Sequence, residues 1–178
     1  IFDILDQDMK TGIAHRALRP TLGLIDPEGL TTLPAAVIAS NGFDVFSHAI
    51  ESYTAKPFTH RPAPEKPSQR PLLQGANPYS DMACLEAIKI VGENIEKAVN
   101  QNGSLEELEA LSLAGMLAGI GFGNAGCHLP HAMSYAVAGL VKNYKPKDWP
   151  SDHPMVPHGI SVIVNSPAAF RFTSEACP

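Results

Sequence analysis

Asp44 and His48 stand four residues apart in the run Asn41-Gly42-Phe43-Asp44-Val45-Phe46-Ser47-His48-Ala49-Ile50-Glu51. In a helix that spacing puts both side chains on one face, a turn apart. A carboxylate oxygen and an imidazole nitrogen could then share an ion at about 2.0–2.2 Å. The same spacing also suits a plain surface ion pair. Two other segments bring histidines: Gly126-Cys127-His128-Leu129-Pro130-His131-Ala132-Met133-Ser134-Tyr135, and Val156-Pro157-His158-Gly159. Five of the seven histidines (His48, His128, His131, His153 and His158) lie in or near these three segments. A lone histidine on an apolar helix is usually a hydrogen-bonded core residue. Several of them with an aspartate at helix-starting positions point to a metal site, although spacing does not choose the ligands.

These segments resemble a known family. Gly42 to Tyr53 is similar to the G-x-D-x-x-x-H-x-x-E-x-[YF] signature of the iron-containing alcohol dehydrogenases. His131-Ala132-Met133, followed by Pro157-His158-Gly159, is similar to that family's second signature. Arg19 to Pro27 matches the stretch that leads into the first. The resemblance implies that Asp44, His48, His131 and His158 hold a catalytic divalent metal. Three imidazoles and a carboxylate suit Fe2+ or Zn2+, and such an ion polarises an alcohol or carbonyl oxygen during hydride transfer. Many members carry a second histidine where this chain has Tyr135, so a proton relay there is in doubt. Tyr135 and His128 are candidates for the shell around the ligands, and His128 reads more readily as structural.

The resemblance further implies a dehydroquinate synthase-like fold, with NAD(H) bound by an N-terminal half upstream of this chain. The Pro-rich insertion and the long 143–157 segment are similar to one branch of the family. In that branch hydride passes from a hydroxyacid such as 4-hydroxybutyrate to an oxoacid such as 2-oxoglutarate. Small carboxylate-bearing substrates, a homodimer in the longer protein and a mitochondrial location are implied on the same ground. Two alternatives use the same residues differently. One is a metal-dependent hydrolase, for which His128 is the candidate base nearest in sequence. The other is a catalytically inactive fragment or variant that packs against a partner.

Some patterns invite over-reading. Gly121 to Gly126 is literally G-x-G-x-x-G, but it ends a helix rather than opening one after a strand. Close helix packing is the better account. Cys127 has no evident charge partner and reads as a small buried residue rather than a nucleophile. His15, His60 and His153 fall in turns or loops. Lys142, Lys145 and Lys147 read as a solvated loop rather than a substrate-steering cluster.

The elements that must position the candidate ligands are mostly helical. Residues 1–33 read as short extended pieces and turns, strand-like at Thr21–Ile25, left as a linking segment from a cofactor domain. Residues 34–178 read as a mainly α-helical metal-binding domain, cut short at its C-terminal end. A helix is expected from Pro34 to about Ala55, with a break near Asn41-Gly42. Six prolines between 57 and 78 mark a loop, either a surface connector or an ordered rim over a site. Ser80 is expected to cap a helix running to about Asn100, and Ser104-Leu105-Glu106-Glu107 to open another with a capping box. Further helices are expected at about 129–141 and 159–168.

Bulk properties narrow the classes. With 178 residues, 44% hydrophobic and 17% charged, the chain can build a real core. A net charge of −5 without a basic run disfavours nucleic acid. The apolar stretch Leu111–Phe122 is shorter than the about 20 residues of a bilayer span. Cys84, Cys127 and Cys177 show no CxxC spacing, which argues against a disulfide framework or zinc ribbon.

Overall fold

Pro34 opens α1, Ala35–Tyr53, and the helix runs through Asn41-Gly42 without the expected break. An interior glycine costs about 1 kcal/mol of helix propensity, but here Gly42 is buried and packing against the next helix outweighs that cost. The computed structural model describes residues 2–7, 9–100 and 103–176. Within them α1 is the hub, packed against α2 (Pro78–Asn100), α3 (Leu105–Ala125) and the short α5 (His158–Ile163). α4 (Leu129–Leu140) closes the other side of α5, and α6 (Ser166–Thr173) rests on α4 and α5.

The apolar core lies between α1, α2 and α3. Ala49, Cys84, Ala87, Ile90, Val91, Ala114 and Ala118 form its main cluster, with Ile38, Ala98 and Leu108 a second one. Small residues dominate because the helices approach closely. A Cβ at Gly121 would collide with Cys84 Sγ, so the glycine-rich end of α3 serves helix packing, as its sequence context suggested. α3 is 21 residues long and contains an 18-residue window with a mean hydropathy of 1.2, enough by length and composition to cross a bilayer. That differs from the shorter apolar stretch read in the sequence. Its Ala114 and Ala118 face is engaged with the core.

Helix boundaries differ from expectation where side chains compete for backbone. α2 starts two residues earlier than Ser80, with Pro78 in its first turn, and is capped by Asn77. The Asn77 Oδ1 accepts from the amides of Tyr79 and Ser80 at 3.2 and 3.1 Å, the usual side-chain solution for unpaired first-turn amides. α3 begins at Leu105 as expected, but Ser104 Oγ donates to the Glu107 carboxylate rather than capping the backbone. The single helix expected at 159–168 is two. Pro167 has no amide hydrogen to give Ile163, and turn residues Val164 and Asn165 separate α5 from α6.

The N-terminal segment holds the two described strands, β1 (Phe2–Ile4) and β2 (Met9–Thr11), antiparallel with Asp3 opposite Lys10. Thr21–Ile25 is not a strand. No described strand pairs with it, and Leu22 and Leu24 are 87% and 94% exposed. The Pro-rich segment divides. Residues 57–71 form an exposed path with two short 3-10 turns. Residues 74–75 are pinned to the end of α3 by Gln74 N–Asn124 O (2.7 Å) and Gly75 N–Ala125 O (3.1 Å). The segment is thus a connector whose far end is an ordered rim. Cys84 and Cys127 are free thiols, and Cys177 lies outside the described residues.

Candidate metal centre

Helical spacing aligns Asp44, His48 and Glu51 on one face of α1, at positions i, i+4 and i+7. α5 delivers His158 from its first residue, directly after the buried Pro157. It can approach because residue 159 is glycine. A Cβ there would collide with the Ser40 carbonyl oxygen of α1 and stand 3.0 Å from the Asp44 Cβ. α4 brings His131, in its first turn, from the third side.

Asp44, His131 and His158 each place one ligand atom within 4.8 Å of the other two. The Asp44 Oδ1 lies 3.3 Å from His131 Nε2 and 3.8 Å from His158 Nε2. Neither approach has hydrogen-bond alignment, so Asp44 Oδ1, His131 Nε2 and both His158 nitrogens are buried without a hydrogen-bond partner. Buried polar atoms are rarely left so. One atom from each residue, brought together from three helices, describes a cradle for a cation, and the residues present fit a divalent metal.

His48 joins an overlapping set, with one ligand atom each from His48, Cys127 and His131 within 4.8 Å. Its ring lies 4.3 Å from that of His131, and its Nδ1 donates to the Asp44 carbonyl at 2.8 Å. That bond fixes the tautomer and leaves Nε2 as the electron-pair donor. Through His131, which is common to both sets, His48 adjoins the Asp44–His131–His158 position.

Charge follows burial and neighbours. Burial lowers the His48 and His158 pKa values against the pull of Asp44, His158 to about 4, so both stay in the neutral form that ligates metal. Burial works against protonation of His131 too, but contacts with Asp44, Cys127 and Glu51 prevail and lift it to about 12. Asp44 moves the other way: burial opposes ionisation, yet His131, His48 and His158 bring its pKa down.

Glu51 is the functional residue that the sequence reading did not assign. It is fully buried. Its Oε1 accepts from His131 Nδ1 at 2.6 Å, and its Oε2 accepts from the His128 amide at 2.7 Å. A longer bond of 3.4 Å runs from the His131 amide to the same oxygen. One carboxylate thus caps the start of α4, which lacks a local side-chain cap, and aims His131 Nε2 into the cradle. Such carboxylate–histidine–metal arrangements orient ligands and raise their basicity. The available signals were its place as the glutamate of the first signature and its spacing of seven residues from Asp44, on the same face.

The remaining candidates surround this centre. Tyr135 stacks on His158 with ring centroids 6.3 Å apart. His128 Nε2 lies 3.0 Å from Thr54 Oγ1 and its ring packs edge-on to Phe170, which accords with a structural role. Cys127 is half-buried rather than a core residue. It lines an open cleft of about 1170 Å³ together with His48, Phe122, His131, Tyr135 and Leu73 of the Pro-rich rim. His15 and His60 are exposed, and His153 pairs with Asp152 at 2.8 Å in the 143–157 segment, away from the cradle. Lys145 donates to the Asp152 carbonyl within that same segment.

Residues 72–178 match the model of the Fe-containing alcohol dehydrogenase family, C-terminal. The chain belongs to that family. It is 51% identical over its whole length to the mitochondrial hydroxyacid-oxoacid transhydrogenase of Rattus norvegicus, and it spans 38% of that relative's length. Among solved structures, the iron-containing alcohol dehydrogenase of Thermococcus thioreducens superposes with a TM-score of 0.69 at 28% identity. That match covers 92% of this chain and 34% of the other. A sulfoacetaldehyde reductase of Bifidobacterium kashiwanohense, solved with NAD+, shares the fold with a TM-score of 0.61 at 24% identity, over 83% of this chain and 31% of its own. The helices are those of the C-terminal domain of the iron-containing alcohol dehydrogenases, as the motifs implied.

Proposed function

We propose that this chain is the metal-bearing part of a nicotinamide-linked oxidoreductase that moves hydride between a hydroxyacid and an oxoacid. The observation that carries the reading is the set of buried, unpartnered atoms of Asp44, His131 and His158, with His48 beside them. Asp44, His48, His131 and His158 would hold an Fe2+ or Zn2+ ion, which supplies Lewis acidity to the alcohol or carbonyl oxygen of the substrate. The chain's own residues do the rest. Glu51 holds Nδ1 of His131 so that Nε2 faces the cradle, and the Asp44 carbonyl does the same for His48. Phe122, Leu73 and Tyr135 give the cleft a largely apolar wall beside His48 and His131.

Substrate class and location rest on kinship. The curated relatives at 51–52% identity are named mitochondrial hydroxyacid-oxoacid transhydrogenases. On that ground 4-hydroxybutyrate and 2-oxoglutarate are the proposed donor and acceptor, NAD(H) the proposed carrier, and the mitochondrion the proposed compartment. A homodimer is proposed for the longer protein.

Metal analysis tests the centre directly. The chain loaded with Fe2+ or Zn2+ and freed of excess should retain the ion, and His131→Ala should lose it. Undiminished occupancy in His131→Ala would sink the ligand set. A turnover assay then separates the chemistries. Transfer of label from carbon-deuterated 4-hydroxybutyrate to 2-oxoglutarate supports hydride transfer, whereas metal-dependent ester or amide cleavage without nicotinamide would favour a hydrolase.

A further inference from the structure

Cys127 occupies a place that the four-ligand reading leaves unexplained. It sits in the linker between α3 and α4, right after Gly126, whose positive φ of 97° turns the chain there. The backbone is held on both sides of it. Ser52 Oγ donates to the Gly126 carbonyl at 3.0 Å, and the His128 amide donates to Glu51 Oε2 at 2.7 Å. Both anchors come from the C-terminal half of α1, so the thiol is fixed relative to His48 on that same helix. One ligand atom each of Cys127, His48 and His131 lies within 4.8 Å of the others, and all three side chains line the cleft. His131 is 6% exposed and its Nε2 has no hydrogen-bond partner. Its Nδ1 is taken by Glu51, so Nε2 is the nitrogen it can offer to a ligand.

We propose that Cys127 is a thiolate ligand at this centre, forming with His48 and His131 a sulfur-bearing position beside the Asp44–His131–His158 position. The proposal rests on the metal reading above. The two positions share the single free nitrogen of His131, so the ion is held either by Asp44, His48, His131 and His158 or by Cys127, His48 and His131. Ligand softness decides between them. A carboxylate-and-imidazole set accepts Fe2+ readily, while a set containing sulfur favours thiophilic ions such as Zn2+, Co2+ or Cd2+. On coordination the S–H bond breaks, a metal–sulfur bond forms, and the proton leaves to solvent through the open cleft; no electron is exchanged.

Co2+ added to the full chain distinguishes the outcomes by spectrum alone. Visible ligand-field bands report binding at the centre, and a near-ultraviolet thiolate-to-cobalt charge-transfer band reports sulfur in the coordination sphere. The wild-type chain should show both. Cys127→Ser should lose the charge-transfer band and keep the ligand-field bands, and Cys127→Ala should behave alike. Ligand-field bands without charge transfer in the wild type overturn the proposal and leave the Asp44 centre standing, as does a charge-transfer band that survives in Cys127→Ser. Absence of any ligand-field band overturns the metal reading itself, and this proposal with it.

Discussion

The two faces of α1 are built on opposite principles. Toward α2 and α3 it presents Ala49 to a core of small apolar residues, sealed and without a buried charge. Toward α4 and α5 it presents Asp44, His48 and Glu51 to two more histidines, with several polar atoms buried and unpartnered. The first region is stabilised by burial, at roughly 25 cal/mol per Å² of apolar surface. The second costs free energy as it stands, because desolvated polar groups lack partners. A helix can carry such a face only because its opposite face is well packed. Stability and function are thus separated by about half a turn of the same helix.

Perturbing each face should move different observables. The largest effect is expected from His131→Ala, which removes the residue common to both ligand sets. Retained metal, measured by elemental analysis, should fall to background. Next comes the metal itself. At a free concentration near 100 times its dissociation constant, an ion bound only by the native state should stabilise the chain by about 2.7 kcal/mol. Thermal melts with and without chelator would show it, and coincident melts would erase the contrast between the faces. Glu51→Gln should lower metal affinity about 10–100-fold through loss of the hydrogen bond that orients His131. An unaltered affinity would reduce Glu51 to a helix cap.

On the packed face, Val91→Ala removes two methyl groups from a residue that is 2% exposed. It should cost about 2 kcal/mol in denaturant unfolding and leave metal affinity unchanged, since distant sites are additive. A drop in affinity would mean the two faces are coupled. The smallest effect is at Cys84, where burial pushes the thiol pKa to about 11. Because thiolate is the reactive form, native Cys84 should resist iodoacetamide at pH 8 and react only on unfolding. The raised value means that stability is unaffected by this thiol near neutrality, and falls only as pH rises past its unfolded value and the unfolded state ionises first.

The helices of the core were legible because their signals are local. Glu106 and Glu107 begin a run of apolar residues that ends at Gly126, and α3 spans it. Asp44 and His48 were legible as a pair for the same reason, and the motif match extended them to His131 and His158. What sequence withheld was tertiary. Thr21–Ile25 has strand-like composition, but a strand needs a neighbour and none is described. Ser104 has the right spacing for a capping box, yet its hydroxyl chose the Glu107 side chain over the backbone. Glu51 stood in the first signature with no role assigned because its partners come from α4, and Cys127 read as a small buried residue because its partner His48 comes from α1.

The bond between Glu51 and His131 joins residues 80 apart in the chain. Closing a loop of that size costs about 4 kcal/mol of chain entropy on the logarithmic scaling. The ion cradle therefore cannot assemble early in folding, when helices form locally. It appears only once α1 and α4 have docked, and α5 arrives later still along the chain. A nascent chain leaving the ribosome would expose Asp44 and His48 to solvent metals long before their partners exist. The geometry that discriminates among ions is thus a product of completed folding, and metal selection belongs to the finished molecule rather than to its precursors.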